Sequence, residues 1–337
     1  MADRDLRRTG FLAKAGWGEA TCLPLAGDAS QRAYFRLRHG TDTAILMDAP
    51  ADTGKALTAF IDIDQHLIAL GLSAPKLLLQ DIAEGFLLLE DFGDDVFTTL
   101  LQAKPACQNS LYFAAIDVLV ALFRHPAPAG LARLDPPEMA RIARLAVDWY
   151  IPGATGFAGG EAILPALAGE AERLIDGPDV LMLRDYHAGN MIWLPNRTGP
   201  ARVGLLDFQD AMAAHPAYDL VSVLQDARRD VPKALEAAMI ARFCTATHLN
   251  RHDFSAAYAL LGAQRALRIL GVFARLSMQS GKPGYLVHAP RVWQQLQRNL
   301  AHPALSQLAN LCDRLIPEPT PARLYRIKEL CGTIQTP

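Results

Sequence analysis

Leu183-Arg184-Asp185-Tyr186-His187-Ala188-Gly189-Asn190 and Leu205-Leu206-Asp207-Phe208-Gln209-Asp210 are the two stretches on which the reading of this chain turns. Each follows an apolar run, at 180–183 and 203–206, and each sets an acidic residue just beyond it. Asn190 stands five positions after Asp185, and Asp207 seventeen positions after Asn190, a separation that a short hairpin can close. An acid, an amide and a second acid are the parts needed to orient a hydroxyl and to hold Mg²⁺ on a nucleotide. Either stretch alone reads as an ordinary strand end or turn. The order, and the short apolar hairpin between them, favours chemistry.

The 337 residues are enough for two lobes with a core each. Hydrophobic residues make up 51% and charged residues 20%, which indicates a globular chain. The formal net charge of −2, without a long basic run, disfavours nucleic acid as a partner. No run of 18 uninterrupted apolar residues occurs, and the charged residues 1–8 are not followed by an apolar signal core, so neither a membrane partner nor secretion is expected. Cys22, Cys107, Cys244, Cys312 and Cys331 are scattered and odd in number, without a C-x-x-C pair. They read as reduced thiols of a cytoplasmic protein.

Strands are expected at 32–38 and 43–48 around a turn at His39-Gly40-Thr41-Asp42, and at 76–80 and 85–89. Apolar residues at helical spacing predict a helix over 54–70, stopped by Gly71. The acidic segment Glu90-Asp91-Phe92-Gly93-Asp94-Asp95 reads as a linker. Further helices are expected at 110–123, 137–150, 161–175, 232–247, 254–277, 289–300 and 304–315. The fold class is therefore α+β, with a strand-rich small lobe at 1–91 and a helical lobe at 92–337 that carries the chemistry on its loops. In phosphoryl transfer Asp185 would take the proton of the acceptor hydroxyl, and Asn190 and Asp207 would ligate the metal.

The D-x-x-x-x-N stretch followed by Asp-Phe resembles the catalytic loop and metal segment of the protein-kinase-like phosphotransferases, within the aminoglycoside phosphotransferase and choline kinase group. Gly27-Asp28-Ala29-Ser30-Gln31-Arg32-Ala33-Tyr34-Phe35-Arg36, Met47-Asp48-Ala49-Pro50, the stretches 87–93, 183–194 and 205–226, Gln264-Arg265-Ala266-Leu267 and Arg291-Val292-Trp293 carry it further. Together they make the chain similar, over nearly its full length, to the anomeric sugar kinases that act on N-acetylmuramate and N-acetylglucosamine in bacterial cell-wall recycling. The resemblance implies a protein-kinase-like bilobal fold, with a small antiparallel-sheet N-lobe at 1–91 that binds the nucleotide and a C-lobe at 92–337 that holds the catalytic loop, metal segment and substrate site. It also implies ATP and Mg²⁺ as cofactors and an amino sugar as the small-molecule partner, phosphorylated at its anomeric hydroxyl.

Three positions depart from the wider group. Leu183 replaces the usual histidine two residues before the catalytic acid, and the glycine-rich phosphate turn is reduced to Gly27-Asp28-Ala29-Ser30. Met47 stands where the phosphate-pairing lysine is expected. Arg32 and Arg36 share a strand face and are candidate substitutes, Arg32 being nearer the turn. Ser30 and Arg32 are thus expected on the phosphates. Glu90 and Asp91 are expected where adenine meets the linker backbone. His187, Trp149 and Tyr150 are candidate substrate residues, the last two as a stacking pair on a sugar face. Asp219 is expected to anchor the catalytic loop. The rivals are an aminoglycoside, choline or homoserine kinase on the same scaffold, and a non-catalytic nucleotide-binding pseudokinase, which the Met47 departure alone supports. Asp148, Glu161, Glu170 and Glu172 are too dispersed for the acidic patch that a cationic aminoglycoside would favour.

Overall fold

The structure is a computed structural model that describes residues 2–25, 32–49 and 54–334. It divides into two compact units, Met1–Ala121 with Ala188–Ala211, and Leu122–His187 with Met212–Pro337. The stretch 183–190 therefore starts in the second unit and ends in the first.

The first unit is built on a five-stranded antiparallel sheet in the order β1-β2-β3-β5-β4. Its strands are β1 (Thr21–Leu25), β2 (Ala33–His39), β3 (Asp42–Asp48), β4 (Leu77–Asp81) and β5 (Phe86–Glu90). The β2–β3 register pairs His39 with Asp42, so Gly40 and Thr41 make the two-residue turn, and Gly40 has the positive φ of 61° that such a turn asks for. Alternation gives each strand two faces. Leu37, Ala44, Leu46, Phe86 and Leu88 pack with Phe11 and Leu12 of α1 (Ala2–Lys14). Phe11 and Phe86 stack at 5.3 Å between ring centroids. Tyr34, Arg36 and Met47 lie on the opposite face, with Tyr34 paired across from Met47.

Neither α1 nor β1 is expected from the sequence. The reason is that α1 buries only a short apolar stripe. The rest of its hold is ionic, from Arg4 to Asp48 (2.8 Å) and Arg7 to Glu84 (3.0 Å), and hydropathy does not register such pairs. Helix α2 (Gly54–Ala69) buries Leu57, Phe60, Ile61 and Leu67, and Gly71 stops it at φ 75°. After α3 (Phe97–Ala103) comes α4 (Gln108–Phe123), which closes most of this unit. Among the described residues one stretch, Pro105–Phe123, is long and apolar enough by length and composition to cross a membrane. Its Leu111, Ala115, Ile116 and Val118 are buried within the protein.

The second unit is helical. In order it contains α5 (Pro136–Leu145), a π turn at Ala146–Tyr150, α6 (Ile151–Thr155), α7 (Ile163–Leu174) and the strand β6 (Val180–Met182). There follow β9 (Met212–Ala214), α8 (Ala217–Leu224), α9 (Lys233–Thr247), α10 (Arg251–Met278), α11 (Ala289–Leu300), α12 (Ser306–Leu315) and α13 (Pro321–Glu329). The Asp135 carboxylate caps α5 by accepting the Glu138 N–H at 2.9 Å, and Asn250 caps α10 in the same way. Twenty-eight residues long and buried on nearly every side, α10 is the post around which α5, α8 and α11 pack. Helices α8 and α13 escape the sequence reading. Every residue of α8 is buried, so it shows no amphipathic stripe.

Where α10 meets the end of α5, side chains are excluded altogether. A Cβ on Gly271 would lie 2.2 Å from the Leu145 carbonyl carbon and 2.5 Å from the Ala146 nitrogen. Alanine is the better helix former by about 1 kcal/mol, yet here backbone meets backbone and cannot yield. We predict that Gly271→Ala lowers unfolding stability by about 1–3 kcal/mol, the usual scale of overpacking. Urea titration checks this, and equal or raised stability would mean that α10 and α5 separate without cost.

Candidate active site

In the first unit, β7 (Met191–Trp193) and β8 (Val203–Leu205) form the antiparallel hairpin expected between the two sequence stretches. Its base is closed by the Leu206 N–H donating to the Asn190 carbonyl at 3.0 Å. This brings Asn190 and Asp207 together, with Asn190 Nδ2 donating to Asp207 Oδ2 at 3.3 Å. Gln209 Nε2 donates to the other carboxylate oxygen at 2.7 Å. Asp207 adopts a left-handed backbone, φ 59°, which a non-glycine residue holds only under local constraint. The constraint is next door. Phe208 is fully buried and stacks on Phe60 of α2 at 4.9 Å, so the chain must turn sharply to leave Asp207 exposed.

The donor set suits a hard cation. One carboxylate and one amide are oxygen ligands of the kind Mg²⁺ takes when phosphate and water complete its shell. Among the described residues no group of three or more His, Cys, Asp or Glu could hold a metal by itself. A cation here would therefore lean on the phosphates. The amide nitrogens of Asn190 and Gln209 occupy the Asp207 oxygens in this structure, so binding a cation would require them to turn away.

The other nucleotide candidates fall out unequally. Ser30, with Gly27, Asp28 and Ala29, lies outside the described residues. Arg32 hydrogen-bonds the Tyr34 hydroxyl. Burial pushes that hydroxyl up from its ordinary pKa, Arg32 opposes the shift, and the negative charge of Asp207 adds to it. Arg36 is held elsewhere, by Asp91 at 2.8 Å and Asp94 at 2.6 Å. Glu90 pairs with Arg197 at 2.5 Å, so the side chains of Glu90 and Asp91 are both engaged in ion pairs. Met47 is buried, at 1% exposure. Helix α2 also carries Asp64, a buried acid pushed up to about 7 by burial and then by the charge of Glu90; helical periodicity passes over it.

In the second unit, Asp185 follows β6 on a loop whose shape is set by Asp219 of α8. The two Asp219 carboxylate oxygens accept the N–H groups of Leu183 (2.5 Å) and Arg184 (3.0 Å), the anchoring role expected of it. Arg184 is left-handed at φ 71°. Burial pushes the Asp219 carboxyl up to about 7, against the pull of the two N–H donors. Arg268 Nη1 lies 3.9 Å from Asp185 Oδ1 and 3.4 Å from the Tyr218 hydroxyl. Arg265, one turn earlier on α10, is buried and donates to Ser222 Oγ at 2.8 Å.

His187 sits two residues beyond Asp185, 3.1 Å from Arg228 Nη1. A guanidinium only donates, so His187 Nε2 is the acceptor and the ring proton sits on Nδ1. Burial lowers the His187 pKa, and the charges of Arg228 and Arg265 lower it further against Asp226 and Asp185. Tyr150 corrects an expectation. Its ring is 1% exposed and its hydroxyl donates to the Pro317 carbonyl at 2.6 Å, so it offers no face to a sugar. A tyrosine on a helix more often belongs to the core, and this one does. Trp149, on the same π turn, remains half-exposed. The sequence reading gives the arginines near Asp185 no site role, although Arg265 falls in a stretch that carries the resemblance. Their signal was present in Arg265 and Arg268, two cations one turn apart in the mostly apolar middle of a long helix.

Comparison with known proteins places these features in a family. The model of the phosphotransferase enzyme family matches residues 21–254. The N-acetylmuramate/N-acetylglucosamine kinase of Caulobacter vibrioides is 38% identical, the match covering 95% of this chain and 98% of the relative. The Pseudomonas aeruginosa enzyme of the same name is 32% identical over 88% and 90%. Among solved structures, choline kinase LicA from Streptococcus pneumoniae superposes with a TM-score of 0.58 at 16% identity, covering 90% of this chain and 99% of that one. Aminoglycoside phosphotransferase APH(3'')-Id from Streptomyces rimosus gives 0.52 at 22%, covering 78% and 97%. These last two share the protein-kinase-like α+β fold. With the family match spanning most of the chain and the curated relatives nearly all of it, the protein belongs to the phosphotransferase enzyme family and is a phosphotransferase.

Proposed function

We propose that the protein is a cytoplasmic, ATP- and Mg²⁺-dependent sugar kinase that converts N-acetylmuramate and N-acetylglucosamine to their 1-phosphates. The observation that supports phosphoryl transfer is the Asn190–Asp207 pair, an amide and a carboxylate 3.3 Å apart on a hairpin base. The names of relatives that match nearly the whole chain support the acceptor. Nucleotide use agrees with the neighbours, LicA having been solved with AMP and APH(3'')-Id with ADP and streptomycin. In this reading residues 1–91 serve the nucleotide and 92–337 the catalytic loop and acceptor.

Asp185 accepts a hydrogen bond from the anomeric hydroxyl and takes its proton as the new oxygen–phosphorus bond forms. The bond from the γ-phosphorus to the bridging oxygen breaks, and ADP leaves with that electron pair. Asp207 and Asn190 would hold the metal, whose charge would offset the negative charge of the phosphates. Arg32 supplies the cation that Met47 does not, and the linker backbone at Glu90 and Asp91 meets the adenine. Incubation with ATP, Mg²⁺ and a panel of amino sugars, aminoglycosides and choline, read by phosphorus NMR, tests the reading. Phosphate on choline or on an aminoglycoside in place of the sugar C1 would overturn it.

Three substitutions test the roles. Asp185→Asn is expected to keep the fold and nucleotide binding while lowering kcat by about 10²–10⁴-fold; an unchanged kcat removes it from the mechanism. Asp207→Ala should abolish Mg²⁺-dependent ATP binding in calorimetry, and wild-type affinity would place the metal elsewhere. Arg32→Met is expected to weaken ATP and depress kcat together. Arg36→Met should act mainly on stability, because its guanidinium already binds Asp91 and Asp94. The reverse order would move the phosphate role to Arg36.

A further inference from the structure

The second unit gathers positive charge around its catalytic loop. Arg268 lies 3.9 Å from Asp185, Arg265 is buried one turn away on α10, and Arg228 contacts His187. Acids share these surroundings, Asp185 beside Arg268 among them. Asp226 accepts the backbone N–H of Arg228 at 2.8 Å, and Asp219 is buried under the loop N–H groups. The three arginines differ in exposure. Arg265 is buried and Arg268 half-buried, whereas Arg228 is exposed, on the segment that follows α8. His187 meets one nitrogen of the Arg228 fork at 3.1 Å, a contact that favours one orientation of the guanidinium beside the loop.

An exposed, oriented guanidinium beside a catalytic loop fits a planar anion, a carboxylate above all. Resting on the amino-sugar kinase reading, we propose that Arg228, oriented by His187, receives the carboxylate of an acidic amino-sugar acceptor. N-acetylmuramate carries such a group on its lactyl ether, and N-acetylglucosamine carries none. Arg228 therefore sets the preference between the two sugars and disfavours cationic acceptors by like charge.

The test compares both sugars on the full-length enzyme with saturating ATP and Mg²⁺. Arg228→Gln is expected to lower the ratio of kcat/KM for N-acetylmuramate to that for N-acetylglucosamine by about tenfold or more, the scale of a lost charge-assisted hydrogen bond. The loss should appear mainly in KM, and Arg228→Lys should recover part of it. N-acetylglucosamine turnover in the same preparation reports that the variant is folded. An unchanged ratio in a variant active on both sugars overturns the arginine assignment alone. A wild-type enzyme that phosphorylates neither sugar overturns the assignment together with the reading it rests on.

Discussion

Two backbone N–H groups converge on one buried carboxylate, Asp219, and the loop that carries Asp185 takes its shape from that contact. The loop has no ladder of its own at this point, because Arg184 is left-handed and leaves the strand. Its donors would otherwise be orphaned at a cost of about 1–3 kcal/mol each. Asp219 can serve because α8 is buried on every side and cannot shift. The same helix meets α10 through the Ser222–Arg265 hydrogen bond. The position of Asp185 is therefore inherited from the packing of the whole helical unit, not from the loop's own sequence.

The first unit solves a similar problem with an aromatic anchor. Phe208 is driven into the core beside Phe60, and the turn that this enforces holds Asp207 exposed. Both acids central to the proposed chemistry thus sit at or beside left-handed, non-glycine backbone, Arg184 before one and Asp207 itself at the other. Such conformations cost about 1–3 kcal/mol and persist where neighbours over-determine them. The arginines of β2 show a parallel division of labour. Arg36 ties the linker acids to the sheet, while Arg32 stays beside Tyr34, whose hydroxyl feels the charge of Asp207.

How much of this was legible depended on whether a signal was local. The hairpin between Asn190 and Asp207, the β2–β3 turn and the long α10 follow from short-range pattern, and each appears within a few residues of its expected place. Helix α1 was hidden because ion pairs to distant Asp48 and Glu84 hold it, and α8 because uniform burial erases periodicity. Tyr150 misled because helical spacing does not say which face is covered, and Pro317, the partner of its hydroxyl, is 167 residues away in sequence. The cations around Asp185 lay in plain view on α8–α10, but only the folded chain brings them to the loop.

The boundary of family likeness and the boundary of folding do not coincide in this molecule. The family match opens at residue 21 and closes at 254. The first limit leaves out α1, so a fragment trimmed there would bare the sheet face made by Leu37, Leu46, Phe86 and Leu88. The second falls in the first turn of α10 and removes the helix that carries Arg265 and Arg268. The portion inherited in recognisable form thus depends for its own solubility and its own charge on flanking chain that the family pattern does not see.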